Sequence, residues 1–253
     1  MKPSPLFRLA PLAAAAVLAA PLSAHAALSA YSQNFEGLSG DTALSDDHWM
    51  YYANVFNGSS WLYGYGPGPA PNNTGGFSAL ASGEGGPAQG QKQLSVYSDY
   101  NNRSAHLNGQ WVEALVFQER TIAAGDAGQW HFAFDGKRGN LAAPSTAYAF
   151  IKTLNPSAGY ATTNFVQIDT SSISNADWGN FQLSLNVDAS LAGQLLQFGF
   201  ANKATRDAGS GVFYDNVSFA TAPVPEPSTY ALMFAGLGLV GVVARRRAAA
   251  ARA

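Results

Sequence analysis

The stretch Gln129-Trp-His-Phe-Ala-Phe-Asp135 alternates apolar and polar side chains. A second stretch, Phe181-Gln-Leu-Ser-Leu-Asn-Val187, repeats the alternation. Because successive side chains of a β-strand point to opposite faces, this period of two predicts strands with one face in the core and the other in water. The inward positions would be Trp130, Phe132 and Phe134 in the first stretch, and Phe181, Leu183, Leu185 and Val187 in the second.

Similar short runs recur along most of the chain. They are rich in β-branched and aromatic residues and lie between clusters of Gly, Pro, Asn and Ser, whereas no long stretch repeats at helical spacing. Ten strands are predicted within one domain, which favours an all-β, two-sheet, jelly-roll-like sandwich. The predicted strands span residues 32–36, 49–55, 94–98, 110–119, 129–135, 147–153, 165–169, 179–187, 195–201 and 212–219.

One internal segment, residues 57–91, differs from the rest because glycine and proline interrupt it repeatedly. Both residue types are unfavourable inside a strand, glycine through its backbone freedom and proline through its missing N–H donor. We therefore predict a long surface excursion over this segment.

The N-terminal end of the chain predicts export. Lys2 and Arg8 precede an Ala/Leu-rich run over residues 9–22, and Ala24-His25-Ala26 is an A-x-A cleavage site. This order is typical of a secretory signal peptide, which we assign to residues 1–26. The exported domain is then expected to cover residues 27–222.

The C-terminal end carries a second targeting pattern. The tetrad Val224-Pro225-Glu226-Pro227 leads into an uncharged apolar run over residues 229–244, which stops at Arg245, Arg246 and Arg247. We predict a single transmembrane helix of about 24 Å, which is short for a bilayer core of about 30 Å. The positive-inside rule places the basic tail, residues 245–253, in the cytoplasm and the exported domain on the outer side.

Tetrad, short apolar helix and arginine cluster together resemble the PEP-CTERM sorting segment, here residues 223–247. In that family the segment is read by an exosortase, a membrane protease or transpeptidase of Gram-negative bacteria that make exopolysaccharide. The resemblance implies passage through the secretion translocon, cleavage by signal peptidase and a transient inner-membrane anchor with the domain in the periplasm. Exosortase processing would then deliver the protein to the cell surface or the extracellular matrix of a biofilm. The alternative is an ordinary tail anchor after a Pro-rich linker.

Composition excludes several classes of function. Residues 27–222 contain eight lysines and arginines against fifteen carboxylates, a net charge of −7, which argues against a nucleic-acid partner. The chain has no cysteine, so it has neither a disulfide framework nor a thiol nucleophile. Stability has to come from the hydrophobic core, alone or together with a bound metal.

A second resemblance concerns the exported domain. Several short motifs, in their order along the chain, are similar to the jelly rolls of carbohydrate-binding modules and galactose-binding-like domains. They are Asn34-Phe35-Glu36-Gly37, Trp49, residues 90–96, residues 177–181 and Phe213-Tyr-Asp-Asn-Val-Ser-Phe219.

This resemblance implies that the first and last strands pair. It also implies that one carboxylate from each, Glu36 and Asp215, helps backbone carbonyls to hold a structural Ca²⁺, an ion that prefers oxygen ligands. The alternative is that both are turn or surface carboxylates.

The richest cluster of aromatic residues lies near the start of the domain. Trp61, Tyr63 and Tyr65 are spaced by two, so they would line one face of a strand. Flat exposed rings can cover the apolar faces of sugars, so these three are the candidate glycan-binding residues. The alternative is that this face belongs to the core.

Catalytic motifs are weak. Gly209-Ser210-Gly211 lacks the G-x-S-x-G elbow of serine hydrolases, and His48, His106 and His131 have no zinc-site spacing. A glycosidase would need two carboxylates facing each other, which the sequence cannot identify. We expect a non-catalytic, exopolysaccharide-associated or glycan-binding protein; the alternatives are a structural matrix protein without ligand and a glycan-active enzyme.

Overall fold

The structure is a computed structural model that describes residues 28–73, 75–205 and 208–221. The predicted signal peptide, sorting segment and basic tail lie outside these residues. Within the described ranges, no helix is long and apolar enough to cross a membrane.

The described chain forms twelve strands and little helix. The helical elements are α1 (Ala43–Asp46), α2 (Arg103–Leu107) and three single 3₁₀ turns. The strands are β1 (Tyr31–Gln33), β2 (Met50–Asn57), β3 (Ser60–Pro69), β4 (Ser78–Ser82), β5 (Lys92–Val96), β6 (Trp111–Thr121), β7 (Gly128–Arg138), β8 (Thr146–Asn155), β9 (Ala161–Asp169), β10 (Gly179–Val187), β11 (Leu195–Thr205) and β12 (Val212–Ala220).

The strands form two antiparallel sheets of six. The first sheet has the order β10-β7-β12-β5-β4, with β1 paired to β12, and the second has the order β3-β2-β6-β11-β8-β9. From β5 onward the chain repeatedly crosses from one sheet to the other, as in a jelly roll. The all-β, two-sheet, jelly-roll-like prediction is confirmed, and so is the pairing of the first and last strands.

Aromatic rings from both sheets fill the core. Phe132 and Phe134 of β7 face Phe198 and Phe200 of β11, with ring centres 5.3 Å apart for Phe132–Phe198 and 5.1 Å for Phe134–Phe200. Phe200 also stacks on Tyr214 of β12 at 3.6 Å. The inward positions predicted in residues 181–187 are confirmed, because Leu183, Leu185 and Val187 are buried and Phe181 packs against the core.

The predicted surface excursion over residues 57–91 is wrong in part, since this segment contains β3 and β4. Each is the last strand of its sheet. An edge strand tolerates proline because only one of its sides is needed for pairing. Packing explains one of the glycines in β3, because a Cβ on Gly64 would lie 2.1 Å from the hydroxyl of Tyr52.

Candidate functional site

The outer face of the second sheet carries an apolar stripe. Inward positions such as Ala53 and Ala114 are fully buried, so their neighbours along each strand point outward. In two adjacent rows across β2, β6, β11 and β8, the outward positions are all apolar or aromatic. We call these eight residues the central stripe: Met50, Phe117, Gly199 and Phe150 in one row, and Tyr52, Leu115, Ala201 and Tyr148 in the other.

The central stripe is packed like a second, smaller core. Leu115, Phe117, Phe150 and Ala201 are buried, and the side chains of Met50, Tyr52 and Tyr148 pack against them. Gly199 leaves the space that Phe117 fills, since a Cβ there would lie 2.6 Å from the Cα of Phe117. These apolar residues are buried although they lie on the outward face and form a cluster separate from the core between the sheets.

Two polar rows flank the central stripe. One consists of Asn54, Glu113 and Lys203, and the other of Glu119, Gln197 and Lys152. Glu113 accepts hydrogen bonds from Asn54 Nδ2 at 3.0 Å and from the Tyr148 hydroxyl at 2.9 Å. Glu119 accepts one from Gln197 Nε2 at 2.6 Å. The polar groups next to the stripe are thus fixed in position by one another.

Lys152 lies across the edge of the central stripe. Its Nζ is 5.1 Å from the ring centre of Phe150 and 5.9 Å from that of Phe117, which are cation–π distances. Burial lowers the pKa of Lys152 to about 8, although the negative charges of Glu113 and Glu119 oppose this shift.

An aromatic platform continues the face at the end near the β2–β3 turn. Trp61 is 58% exposed and lies opposite Phe56, which in turn lies opposite Trp111. The Nζ of Lys203 is 4.2 Å from the ring centre of Phe56 and 5.6 Å from that of Trp111. Trp61 donates its indole N–H to Asn54 Oδ1 at 3.1 Å, which fixes the orientation of its ring.

The prediction that Trp61, Tyr63 and Tyr65 share one face is wrong. A β-bulge between the partners Val55 and Phe56 shifts the register, so Trp61 lies opposite Phe56 while Tyr63 lies opposite Val55. Val55 points into the core and Phe56 does not, which separates the two aromatic side chains.

Tyr63 and Tyr65 instead form a separate pair whose ring centres are 6.2 Å apart. Tyr65 packs against the core and donates its hydroxyl to Asp99 at 2.6 Å, and Tyr63 is 42% exposed.

Sequence reasoning missed most of the second sheet's outer face. The signal was present in β6, where the residues from Trp111 to Phe117 are apolar at both inward and outward positions apart from Glu113. A strand with one solvent-facing side should alternate between apolar and polar residues. Apolar residues on both sides therefore indicate that the outer side is also covered by other side chains. No local sequence motif shows that Lys152 and Lys203 lie next to this strand in the folded protein.

The two carboxylates assigned to a structural cation come close enough to interact. Burial raises the pKa of Asp215 to about 7, and the charges of Asp135 and Glu36 contribute to the rise. Asp215 Oδ1 accepts the Asn216 N–H at 2.6 Å, whereas Oδ2 is buried and has no hydrogen-bond partner in the described part of the chain. A buried carboxylate oxygen without a donor fits a cation ligand.

Other observations limit that cation site. Glu36 Oε1 already accepts the backbone N–H groups of Gln91 and Lys92, each at 2.7 Å. The Lys92 ammonium donates to the carbonyl oxygens of Glu36 at 3.1 Å and Leu38 at 2.5 Å. Residues 28–73, 75–205 and 208–221 contain no cluster of three or more His, Asp or Glu side chains suited to a metal. A cation beside Asp215 would therefore depend on backbone carbonyls for most of its ligands.

Ser210, His106 and His131 make polar contacts within the domain. Ser210 is fully buried, and its Oγ accepts the Ser98 N–H at 2.9 Å. His106 is buried with Nε2 2.7 Å from the Asp99 carbonyl oxygen, and His131 Nδ1 lies 2.8 Å from Ser184 Oγ. Neither arrangement resembles a nucleophile with its base.

We expect Lys152 to give the protein a pH-dependent stability. Its folded-state pKa of about 8 is below its usual 10.5, so the folded protein loses this proton first. Between about pH 8 and pH 10 the unfolded chain binds more protons, and the free energy of unfolding rises by roughly 2 kcal/mol. Urea unfolding at a series of pH values measures this rise, which Lys152→Met should remove. An equal rise in the variant would contradict the assignment.

Comparisons with known proteins identify the C-terminal segment. Residues 223–247 match the PEP-CTERM protein-sorting motif, which confirms the resemblance found in the sequence. This motif indicates an exported protein that an exosortase processes. No curated protein sequence is significantly similar to the chain.

Several solved structures are similar to the described domain at low sequence identity. The enzymatically active domain of tailspike protein 4 from bacteriophage CBA120 has a TM-score of 0.40 and 11% identity over 69% of this chain. The CBM22-2 xylan-binding domain of Xyn10C from Paenibacillus barcinonensis has a TM-score of 0.40 and 10% identity over 76% of the chain. The C-terminal family 22 carbohydrate-binding module of Xyn10B from Clostridium thermocellum has 0.37 and 15%, also over 76%. The matched region spans 19% of the tailspike chain, 99% of the Xyn10C domain and 93% of the Xyn10B module.

Proposed function

We propose that residues 27–222 form a non-catalytic glycan-binding module that works at the cell surface or in the extracellular matrix. One observation carries this proposal: the outer face of the second sheet presents the exposed Trp61 beside the polar row of Asn54, Glu113 and Lys203, with the buried central stripe beneath as support. A sugar presents apolar C–H faces and polar hydroxyl edges, and the exposed indole ring of Trp61 next to fixed polar side chains offers a matching mixture of groups.

The position of Trp61 makes it the main expected contact. Its indole N–H is already engaged by Asn54, so the ring keeps its orientation before a ligand arrives. A preorganised aromatic side chain loses little conformational entropy on binding. Phe56, Trp111 and Lys203 behind it would extend the contact toward the central stripe.

The arrangement of carboxylates on this face supports a binding role over a catalytic one. Glu113 and Glu119 both point outward from β6 and are six residues apart. Six residues of strand span roughly 20 Å, whereas the carboxyl groups of glycosidases lie about 5–10 Å apart. A glycan-active enzyme would need a different pair of acids, and the retained alternative is a structural matrix protein that needs no ligand.

The sorting route is proposed together with this function. The PEP-CTERM motif at residues 223–247 supports processing by an exosortase after transfer through the secretion translocon. The helix over residues 229–244 would anchor the protein in the inner membrane, with Arg245, Arg246 and Arg247 on the cytoplasmic side. Exopolysaccharide outside the cell is the proposed ligand of the released domain.

Trp61→Ala should weaken binding to polysaccharide about tenfold, because it removes an exposed aromatic contact. Affinity electrophoresis in gels containing a panel of purified polysaccharides measures the change. Tyr160→Ala is the matched control, since Tyr160 is 61% exposed but lies in the turn between β8 and β9. If no polysaccharide retards the unsubstituted protein, and the protein associates with itself without sugar, the result supports a structural matrix protein instead.

Pro225→Ala or Glu226→Ala should leave full-length protein in the inner membrane, because each alters the tetrad that an exosortase would read. Intact mass and cell fractionation, with and without the exosortase, measure the outcome. Thr221→Ala, just before the motif, serves as the control and should be released normally. Unchanged release of both tetrad variants would exclude exosortase sorting through this segment.

We also propose that Glu36 and Asp215, with nearby carbonyl oxygens, hold a structural Ca²⁺. The ion would neutralise a buried carboxylate that otherwise lacks a donor at Oδ2. Millimolar Ca²⁺ should raise the Tm of the protein in a concentration-dependent way, as expected for a ligand of the folded state. Asp215→Asn should abolish the shift. An unchanged Tm in the unsubstituted protein would remove the metal from the proposal.

A further inference from the structure

A second candidate site lies on the opposite side of the sandwich. The outer face of the first sheet contains a cleft of about 710 Å³, within the range of ligand sites in proteins. Its floor is one row of outward side chains across β4, β5 and β12, namely Ala79, Ser95 and Phe213. Small residues at two of these positions make the floor low, and the Phe213 ring closes one end.

Two tyrosines form a fixed wall of this cleft. The rings of Tyr97 and Tyr100 stack with centres 6.1 Å apart and planes 12° from parallel. Tyr97 donates its hydroxyl to the carbonyl oxygen of Asn73, and Tyr100 donates to that of Ala208 at 2.6 Å. Because both hydroxyls are anchored, the rings are held in place and offer apolar surface to a ligand.

The remaining lining is rich in hydrogen-bond donors. Arg138 lines the cleft, and its guanidinium has no ion pair or hydrogen bond to any residue that the structure describes. One carboxylate, Glu84, also lines the cleft, and its charge is neutralised by the neighbouring Lys137, Nζ to Oε2 at 3.0 Å. Asn140 accepts the Gly211 N–H at 2.9 Å through Oδ1, which leaves its amide N–H groups for a ligand.

Arg138 is a partly buried cation that lines a cleft in a domain of net charge −7. Fifteen carboxylates are present in residues 27–222, yet none in the described ranges pairs with Arg138. The guanidinium fork binds carboxylates in a bidentate manner. The ligand that satisfies both the charge and the tyrosine wall is therefore anionic and has an apolar ring face.

We propose that this cleft binds an acidic saccharide, with a uronate carboxylate on Arg138 and a sugar ring against Tyr97 and Tyr100. The site does not depend on the glycan surface of the second sheet, which lies on the other side of the core. With both sites occupied, one molecule would bridge two polysaccharide strands, and its avidity for a polymer would exceed the affinity of either site.

Titration calorimetry of the full chain tests the charge requirement. The probes are a galacturonate trisaccharide, the matching neutral galactose trisaccharide and inorganic sulfate. Arg138→Gln should weaken galacturonate binding about tenfold or more and leave binding of the neutral sugar unchanged. Arg103→Gln, which removes an exposed charge on α2, is the matched control and should have no effect. Sulfate binding as tight as galacturonate binding would overturn the saccharide assignment.

A second variant tests the location. Ala79→Trp fills the floor of the cleft from an outward, half-buried position and should abolish galacturonate binding without lowering the urea midpoint of unfolding. Trp61→Ala, on the second sheet, should leave this binding intact. The proposal is overturned if galacturonate does not bind, or if Trp61→Ala rather than Ala79→Trp abolishes its binding. If Trp61→Ala loses binding to neutral polysaccharide but keeps binding to galacturonate, the two sites are independent and the proposal for the cleft is supported.

Discussion

The stack of Phe200 on Tyr214, with ring centres 3.6 Å apart, joins the two sheets at the middle of the sandwich. Phe200 belongs to β11 of the second sheet and Tyr214 to β12 of the first, and each strand has neighbours on both sides. Phe134 packs edge-on against both rings at 5.1 and 5.7 Å. Because these inward positions supply the core of a chain without disulfides, the outward positions are free to vary with function.

The outward positions of both sheets differ from an ordinary polar protein surface. On the second sheet they form the central stripe and the aromatic platform, and on the first sheet they form a cleft with a small-residue floor. Neither feature belongs to the core between the sheets, which aromatic residues already fill. An exposed aromatic ring and fixed polar side chains on a solvent-facing sheet are typical of surfaces that contact a ligand.

Sequence reasoning found what period-two alternation can show. All ten predicted strands exist, and the boundaries of residues 179–187 agree with β10. The two strands it missed, β3 and β4, lie at sheet edges, where glycine and proline are tolerated and the usual contrast between strand and loop is lost. Alternation also cannot reveal a β-bulge, and for this reason Trp61 and Tyr65 were wrongly assigned to one face.

The candidate surfaces were harder to predict because they depend on register between distant segments. Lys152 meets Phe117 only because β11 lies between β8 and β6 and fixes both pairings. The same holds for the floor of the cleft, where Ala79, Ser95 and Phe213 come from three strands. Local patterns carry no information about such cross-strand neighbours, whereas the PEP-CTERM motif, being contiguous, was recognised from sequence alone.

The position of the last strand has a mechanical consequence. β12 ends at Ala220, close to the sorting motif at residue 223, and lies inside the first sheet between β7 on one side and β5 and β1 on the other. A pull transmitted from a tethered C-terminus enters the domain along this strand. To extract the strand lengthwise, such a force has to shear hydrogen bonds to three neighbours together instead of peeling them one at a time. A domain tethered through the C-terminal segment would thus be held at a mechanically strong point of the fold.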